Sequence, residues 1–176
     1  MLVLFADTDN EITPEFCKKY DYHLISMPYS VDGQEYLPYE SFDVFEYHEY
    51  YEKLRNGAMT STSSISMQNY IDYFEPVFAA GNDILYAHFS AQMSKTFEQM
   101  NLAYEELKEK YPERKLYAID TKSISISGMS LLIDISKMAK EGKSPEEIAA
   151  FTEEEANHTA MYMMSSDLQF FKRSGR

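Results

Sequence analysis

The chain has a single cysteine, Cys17, among 176 residues. One thiol excludes an internal disulfide framework and supplies no spaced set of metal ligands. Its plainest role is that of a small packing residue on a helix. Basic side chains are scarce as well: 16 Lys and Arg against 29 Asp and Glu leave a formal charge of −13. Such a field repels a phosphate backbone, and no basic stripe forms beyond the terminal Lys172-Arg173-Ser174-Gly175-Arg176, so nucleic acid is not an expected partner. A basic protein would be steered toward this surface, although solubility alone also accounts for the charge. Long apolar runs are missing. Ile84–Ala87 and Leu131–Ile133 fall far short of the roughly 20 residues that a membrane-spanning helix needs. The opening Met1-Leu2-Val3-Leu4-Phe5-Ala6 has no basic flank and meets Asp7 at once. That reads as a first strand rather than a secretory leader, and the cytoplasm is the expected compartment. No GxGxxG or GxxxxGK[ST] phosphate loop and no GxSxG elbow is present. The histidines His23, His48, His88 and His158 are scattered without metal-ligand spacing, so neither a metal nor a cofactor is expected.

What is present is a globular composition, 44% hydrophobic, arranged as alternating strands and helices. Expected strands cover Leu2–Ala6, His23–Met27, Ile84–Phe89 and Lys115–Ile119. Asp32-Gly33 between Tyr29–Val31 and Gln34–Tyr36 predicts a hairpin. Helices are expected after Thr13-Pro14 through Lys19, over Phe42–Leu54 ending at Asn56-Gly57, and over Met67–Ala79. Further helices run from the Ser90–Ser94 turn to Lys110, over Gly128–Lys140, and over Pro145–His158, the last behind the cap-like Ser144-Pro145-Glu146-Glu147. Met161–Met164 reads as a possible closing strand. The alternation implies one α/β domain, a mostly parallel sheet with helices on both faces. In such sheets ligands sit beyond the carboxyl ends of the strands. Asp7-Thr8, the Ser90–Ser94 turn and the Asp120–Ser127 turn all follow strand ends, and the Thr60–Ser66 loop can reach the same rim.

Three of these loops are rich in hydroxyls and poor in charge. Thr60-Ser61-Thr62-Ser63-Ser64-Ile65-Ser66 runs into a helix, as does Ser90-Ala91-Gln92-Met93-Ser94-Lys95-Thr96. Hydroxyl donors beside a helix amino terminus suit a carboxylate or a phosphate. The competing reading is that the same hydroxyls merely cap their helices. Asp120-Thr121-Lys122-Ser123-Ile124-Ser125-Ile126-Ser127 either adds donors or turns the chain. Asp7 at the end of the first strand is open to two readings: a turn residue, or the nucleophile or metal ligand of an enzyme acting on a small acyl or phosphorylated substrate. His88, inside a strand, reads as core or rim packing.

Taken in order, these loops resemble the DegV family of bacterial lipid-binding proteins. Asp7-Thr8 is similar to that family's Asp-Ser opening, and Thr62-Ser63-Ser64-Ile65-Ser66 to its Thr-Ser-Gln-Pro-Ser loop. Ser90–Thr96 is similar to its Ser-Ser-x-x-Ser-Gly-Thr turn, and Asp120-Thr121-Lys122-Ser123 to its Asp-Ser-Lys-x-x-Ser segment. Glu141-Gly142-Lys143-Ser144 and the closing Asp167-Leu168…Arg173-Ser174-Gly175-Arg176 fit as well. The resemblance implies a fatty-acid carrier with no catalytic activity of its own, its ligand's carboxylate held by the hydroxyls of Thr62 and Ser94. Ser63 and Lys95 are their neighbours at the head group. It also implies that the acid is presented to an ATP-dependent fatty acid kinase partner. Lys95 stands where the family has glycine, which alters the turn or adds a positive charge beside the head group. Ile65 and Met67 replace prolines, and Ser174 replaces a glycine. On this resemblance residues 1–176 are expected to correspond to the family's amino-terminal lobe, without the carboxy-terminal lobe that in the family follows it and supplies much of the acyl tunnel. A lobe without its mate is expected to expose an apolar patch and to self-associate, a homodimer being one form.

Overall fold

The computed structural model describes residues 1–165 and 168–173. Its centre is a four-stranded sheet made of β1 (Leu2–Asp7), β2 (Tyr22–Ile25), β6 (Asp83–His88) and β7 (Leu116–Asp120), in the order β2-β1-β6-β7. Every neighbouring pair is parallel, with Leu4 beside Tyr22 and Leu85, and Tyr86 beside Ala118. A parallel sheet covered on both faces needs apolar side chains in both directions, which is why β1 and β6 read as short continuous runs rather than alternating ones. Phe5, Ile84 and Tyr86 point into one core with Tyr70, Phe74, Phe78, Met100 and Leu107. These come from the helices α3 (Met67–Ala79) and α4 (Thr96–Lys110). Leu4, Ala6, Leu85 and Ala87 point the other way, against Cys17, Leu132, Ile135 and Ile148. Those belong to α1 (Pro14–Tyr20), α5 (Ser125–Lys140) and α6 (Pro145–His158). Each leucine, isoleucine, phenylalanine or methionine among them stabilises the fold by about 1.5–3 kcal/mol when fully buried, the alanines and Cys17 less.

Local chemistry fixes where the helices begin. The Phe16 amide donates to Thr13 Oγ1 at 3.2 Å ahead of Pro14. At α6 a capping box closes: Glu147 N–H donates to Ser144 Oγ at 3.2 Å, and Ser144 N–H donates to Glu147 Oε2 at 2.8 Å.

A second, three-stranded antiparallel sheet stands beside the first. The Asp32-Gly33 hairpin joins β3 (Tyr29–Val31) to β4 (Gln34–Tyr36), and β5 (Thr60–Thr62) pairs on the other side of β3. The start of the hydroxyl-rich segment is thus a strand and not a loop, because Tyr29 and Thr62 stand opposite each other in the ladder. The helix expected over Phe42–Leu54 is shorter: α2 covers Tyr47–Arg55. The helix-like spacing of Phe42 and Phe45 serves a different purpose, an aromatic cluster in which Phe45 lies 5.4 Å from Tyr50 and 6.4 Å from Tyr29, ring centre to ring centre. α5 begins at Ser125, not Gly128, so the second half of the Asp120–Ser127 turn is already helical. Met161–Met164 forms no strand and lies exposed. Beyond it, α7 (Gln169–Arg173) is short; Asp167 and Ser174–Arg176, which carry part of the closing motif, lie outside the described residues.

Candidate functional site

In the order β2-β1-β6-β7 the chain crosses to one side of β1 with β2 and to the other side with β6. At such a switch the loops leaving β1 and β6 diverge, and a crevice opens beyond their carboxyl ends. A cavity of about 720 Å³ lies there, within the range of roughly 300–1,000 Å³ usual for small-molecule sites. Thr8 and Asp9 enter it from the end of β1, Met27 and Pro28 from beyond β2, and Phe89, Met93, Ser94 and Lys95 from beyond β6. Thr62, Ser63 and Ser64 reach it from the end of β5. All four residues singled out from the sequence, Thr62, Ser63, Ser94 and Lys95, therefore border one space.

Their hydroxyls are not equivalent. The helix-capping duty in the first loop falls to Ser66, which accepts from the Asn69 amide at 3.2 Å. That leaves the exposed Thr62, for which no side-chain partner occurs among the described residues, facing the cavity. Ser63 donates to Glu35 Oε2 at 3.3 Å, and its amide donates to Pro28 O at 3.3 Å. Ser94 is half-buried, and its Oγ accepts from the Thr96 amide at 3.2 Å. Ser94 stands one residue before the N-cap, Lys95, which makes no side-chain cap bond, so holding the first amide of α4 and lining the cavity coincide in one residue. Lys95 is exposed beside it. The third hydroxyl-rich turn sends only Ile124 to the cavity wall; Thr121 and Ser123 are buried.

Asp7 is not among the residues that line the cavity. It is fully buried behind the wall. Oδ1 accepts from Asn10 Nδ2 at 3.0 Å, and Oδ2 accepts from Tyr86 Oη at 3.1 Å and from the Phe89 amide at 3.0 Å. Burial, and secondarily the negative charge of Asp9, push its carboxyl up to about 8. Tyr70 Oη lies 3.2 Å from Tyr86 Oη and extends the chain of polar groups into the core. This network ties the end of β1 to the end of β6, the two strands that flank the crevice. Among the described residues no group of three or more His, Cys, Asp or Glu side chains could hold a metal ion. His88 is buried as expected, ring-stacked on Phe89 at 4.6 Å, and burial pulls it down to about 4.

The residues not foreseen are the aromatic and acidic ones. Tyr29, Tyr39, Phe45, Tyr50 and Tyr51 wall the cavity on the side of the small sheet. The dense aromatics between Tyr36 and Tyr51 are the visible signal in the sequence, but their partners are fixed only by the β3–β5 pairing. Burial raises the Tyr29 and Tyr39 hydroxyls above their ordinary value, which keeps them neutral donors. Asp9 and Glu11 also border the cavity, with Glu11 Oε1 accepting from Ser125 Oγ at 3.0 Å. Lys95 is the only cation on the wall among the described residues.

A parallel sheet with helices on both faces and a mixed polar and apolar cavity at its strand switch defines an α/β fold with a candidate site at the strand ends. A family model described as an uncharacterised protein of the DegV family matches residues 1–176, and a DegV domain-containing protein of Clostridium perfringens is 31% identical over 174 residues. The chain belongs to the DegV family. It covers 60% of the length of that relative. Among solved structures, it superposes on a fatty-acid-binding DegV family protein from Thermus thermophilus with a TM-score of 0.82 at 21% identity, covering 99% of this chain and 60% of that one. A DegV family protein from Ruminococcus gnavus, solved with vaccenic acid, gives 0.84 at 18% identity and covers 99% of this chain and 61% of that one. At these identities the likeness shows the fold.

Proposed function

We propose that this chain holds a fatty acid, its carboxylate among the hydroxyls of Thr62 and Ser94 and its tail against the apolar wall. The observation that carries the reading is the single cavity of about 720 Å³ that gathers Thr62, Ser63, Ser94 and Lys95 together with Ile12, Met27, Phe89, Met93 and Ile124. Hydroxyl groups grip a carboxylate without a cation because their bonds to it are charge-assisted. Lys95 adds a positive charge to the same cavity wall, which offsets the repulsion from Asp9 and Glu11. The fatty-acid binding named for the Thermus thermophilus relative supports the same ligand class. No reacting group is required for this role, and Asp7, hydrogen-bonded behind the wall, serves it by joining the ends of β1 and β6. Presentation of the bound acid to an ATP-dependent kinase is the proposed use.

The exposed Met161, Tyr162, Met163, Met164 and Leu168 support a further part of the reading, that this surface is covered by association, in the simplest case as a homodimer. Sedimentation showing only monomer across a wide concentration range removes that part. The ligand itself is tested by mass spectrometry of organic extracts from the purified protein, followed by titration of the delipidated chain with palmitate. A long-chain acid in the extract and saturable binding of it are expected. An empty extract together with no palmitate binding refutes the function.

A further inference from the structure

The Thr96 side chain is fully buried, yet it is polar. Its Oγ1 lies 2.7 Å from Ser94 Oγ, a normal length for a hydroxyl–hydroxyl hydrogen bond. The Thr96 amide, at the first residue of α4, donates to that same Ser94 Oγ at 3.2 Å. No other side-chain bond of Thr96 occurs among the described residues.

A hydroxyl has one hydrogen to give and two lone pairs to fill. If Ser94 gave its hydrogen to Thr96, the Thr96 hydrogen would be left buried with no acceptor, at a cost comparable to a lost hydrogen bond. In the opposite arrangement Thr96 O–H donates to Ser94. Both lone pairs of Ser94 Oγ are then occupied, one by the Thr96 amide and one by the Thr96 hydroxyl. Ser94 keeps only its hydrogen, and the half-buried Ser94 borders the cavity. The other two hydroxyls are not fixed in this way: Thr62 has no side-chain partner among the described residues, and Ser63 donates to Glu35.

We infer that Thr96 is a positioning residue that makes Ser94 a pure hydrogen-bond donor toward the cavity, so that the site selects a head group that accepts hydrogen bonds over one that must also donate. This rests on the reading of the cavity as the head-group site. A carboxylate, which only accepts, is matched. A primary alcohol of the same chain length finds no acceptor at Ser94 and loses its own donor bond there. The bond from Thr96 also polarises the Ser94 hydroxyl, which strengthens its donation to an anion.

The test compares decanoate with 1-decanol, titrated calorimetrically into the full chain and its Thr96→Val and Thr96→Ser variants, with circular dichroism alongside. Thr96→Val keeps the shape and removes the hydroxyl. It is expected to weaken decanoate about tenfold, leave decanol within about twofold and so collapse the selectivity, while Thr96→Ser restores it. An unchanged decanoate-to-decanol ratio in a folded Thr96→Val chain overturns the assignment. Equal losses for both ligands overturn it too, since they indicate a structural role only. A ligand-free measurement separates this inference from the functional reading. In the unsubstituted protein the shielded Thr96 hydroxyl proton is expected as a slowly exchanging resonance close to the Ser94 methylene protons. A slowly exchanging Ser94 hydroxyl without a Thr96 one overturns the inference. Absence of any fatty-acid binding with the Thr96 resonance present refutes the function and leaves the hydroxyl geometry standing.

Discussion

Replacing Asp7 by Asn removes a buried carboxyl group without changing its shape, and the consequence depends on pH. Asp7 is fully buried and accepts three hydrogen bonds of 3.0–3.1 Å from Asn10, Tyr86 and Phe89. Burial nevertheless dominates and holds the group near 8 in the folded chain, against about 3.9 in an unfolded one. Between those values the folded state binds one proton more than the unfolded state. Stability is therefore fully present below about pH 4 and is lost as pH rises toward 8, by up to about 1.4 kcal/mol per pH unit, an upper bound of about 6 kcal/mol. The neutral acid needs an acceptor for its hydrogen, and Asn10 Oδ1 is a buried oxygen without a partner. Interchange of the Asn10 amide oxygen and nitrogen turns that oxygen toward Asp7. The amide introduced by Asp7→Asn donates to the same oxygen and keeps the acceptor for Tyr86 and Phe89. Urea unfolding at pH 5 and pH 8 should show the parent chain losing a few kcal/mol more than Asp7→Asn between the two. At pH 8 the variant should be at least as stable as the parent. Equal pH slopes, or a variant destabilised alike at both pH values, would mean that Asp7 is ionised in the fold and that the argument from burial fails.

Gly128 in α5 leaves room for Asn10: an added Cβ would stand 1.8 Å from Asn10 Oδ1, inside a buried contact. Gly128→Ala should cost about 1–3 kcal/mol despite the better helix propensity of alanine, and an unchanged urea midpoint would refute it. Burial pushes the Cys17 thiol up to about 11, so a disulfide reagent at pH 8 should label the native chain far more slowly than the urea-unfolded one. Comparable rates would contradict the packing of α1. The chain carries a formal charge of −13 and the proposed ligand is an anion, so stopped-flow association with a fatty acid should quicken as salt rises from low ionic strength. A rate that falls with salt would point to a positive binding face that the cavity wall does not show.

The large features of this fold are legible locally. α3 runs over Met67–Ala79 and α6 over Pro145–His158, as the sequence suggests, because Ser66, Ser144, Pro145 and Glu147 carry the cap chemistry within four residues of each start. The four parallel strands lie within two residues of their expected bounds, since buried runs between turn residues admit few other placements. Where pairing is distant, the sequence is silent. β5 is three polar residues, Thr60–Thr62, that become a strand only by meeting Tyr29–Val31. Without that pairing Phe42 and Phe45 look like one face of a helix, and the aromatic wall of the cavity goes unseen. The shared border of Thr62 and Ser94 was reachable from the strand-end rule, whereas the partners of their hydroxyls were not. Asp7 is the clearest gap. A strand-end aspartate reads as a turn residue, and nothing near it in the sequence reveals that Tyr86 and Phe89 cross from β6 to meet it.

The central claim, that hydroxyls from two loops hold a fatty-acid carboxylate at the strand switch, is tested most directly by titrating palmitate calorimetrically into this chain and its Thr62→Val and Ser94→Ala variants. A hydrogen bond to a charged group is worth about 1.5–3 kcal/mol, so each variant should lose roughly ten- to a hundredfold in affinity with its circular dichroism unchanged. Ser63→Ala should lose less, because that hydroxyl already donates to Glu35. Palmitate affinity unchanged in both Thr62→Val and Ser94→Ala would contradict the account.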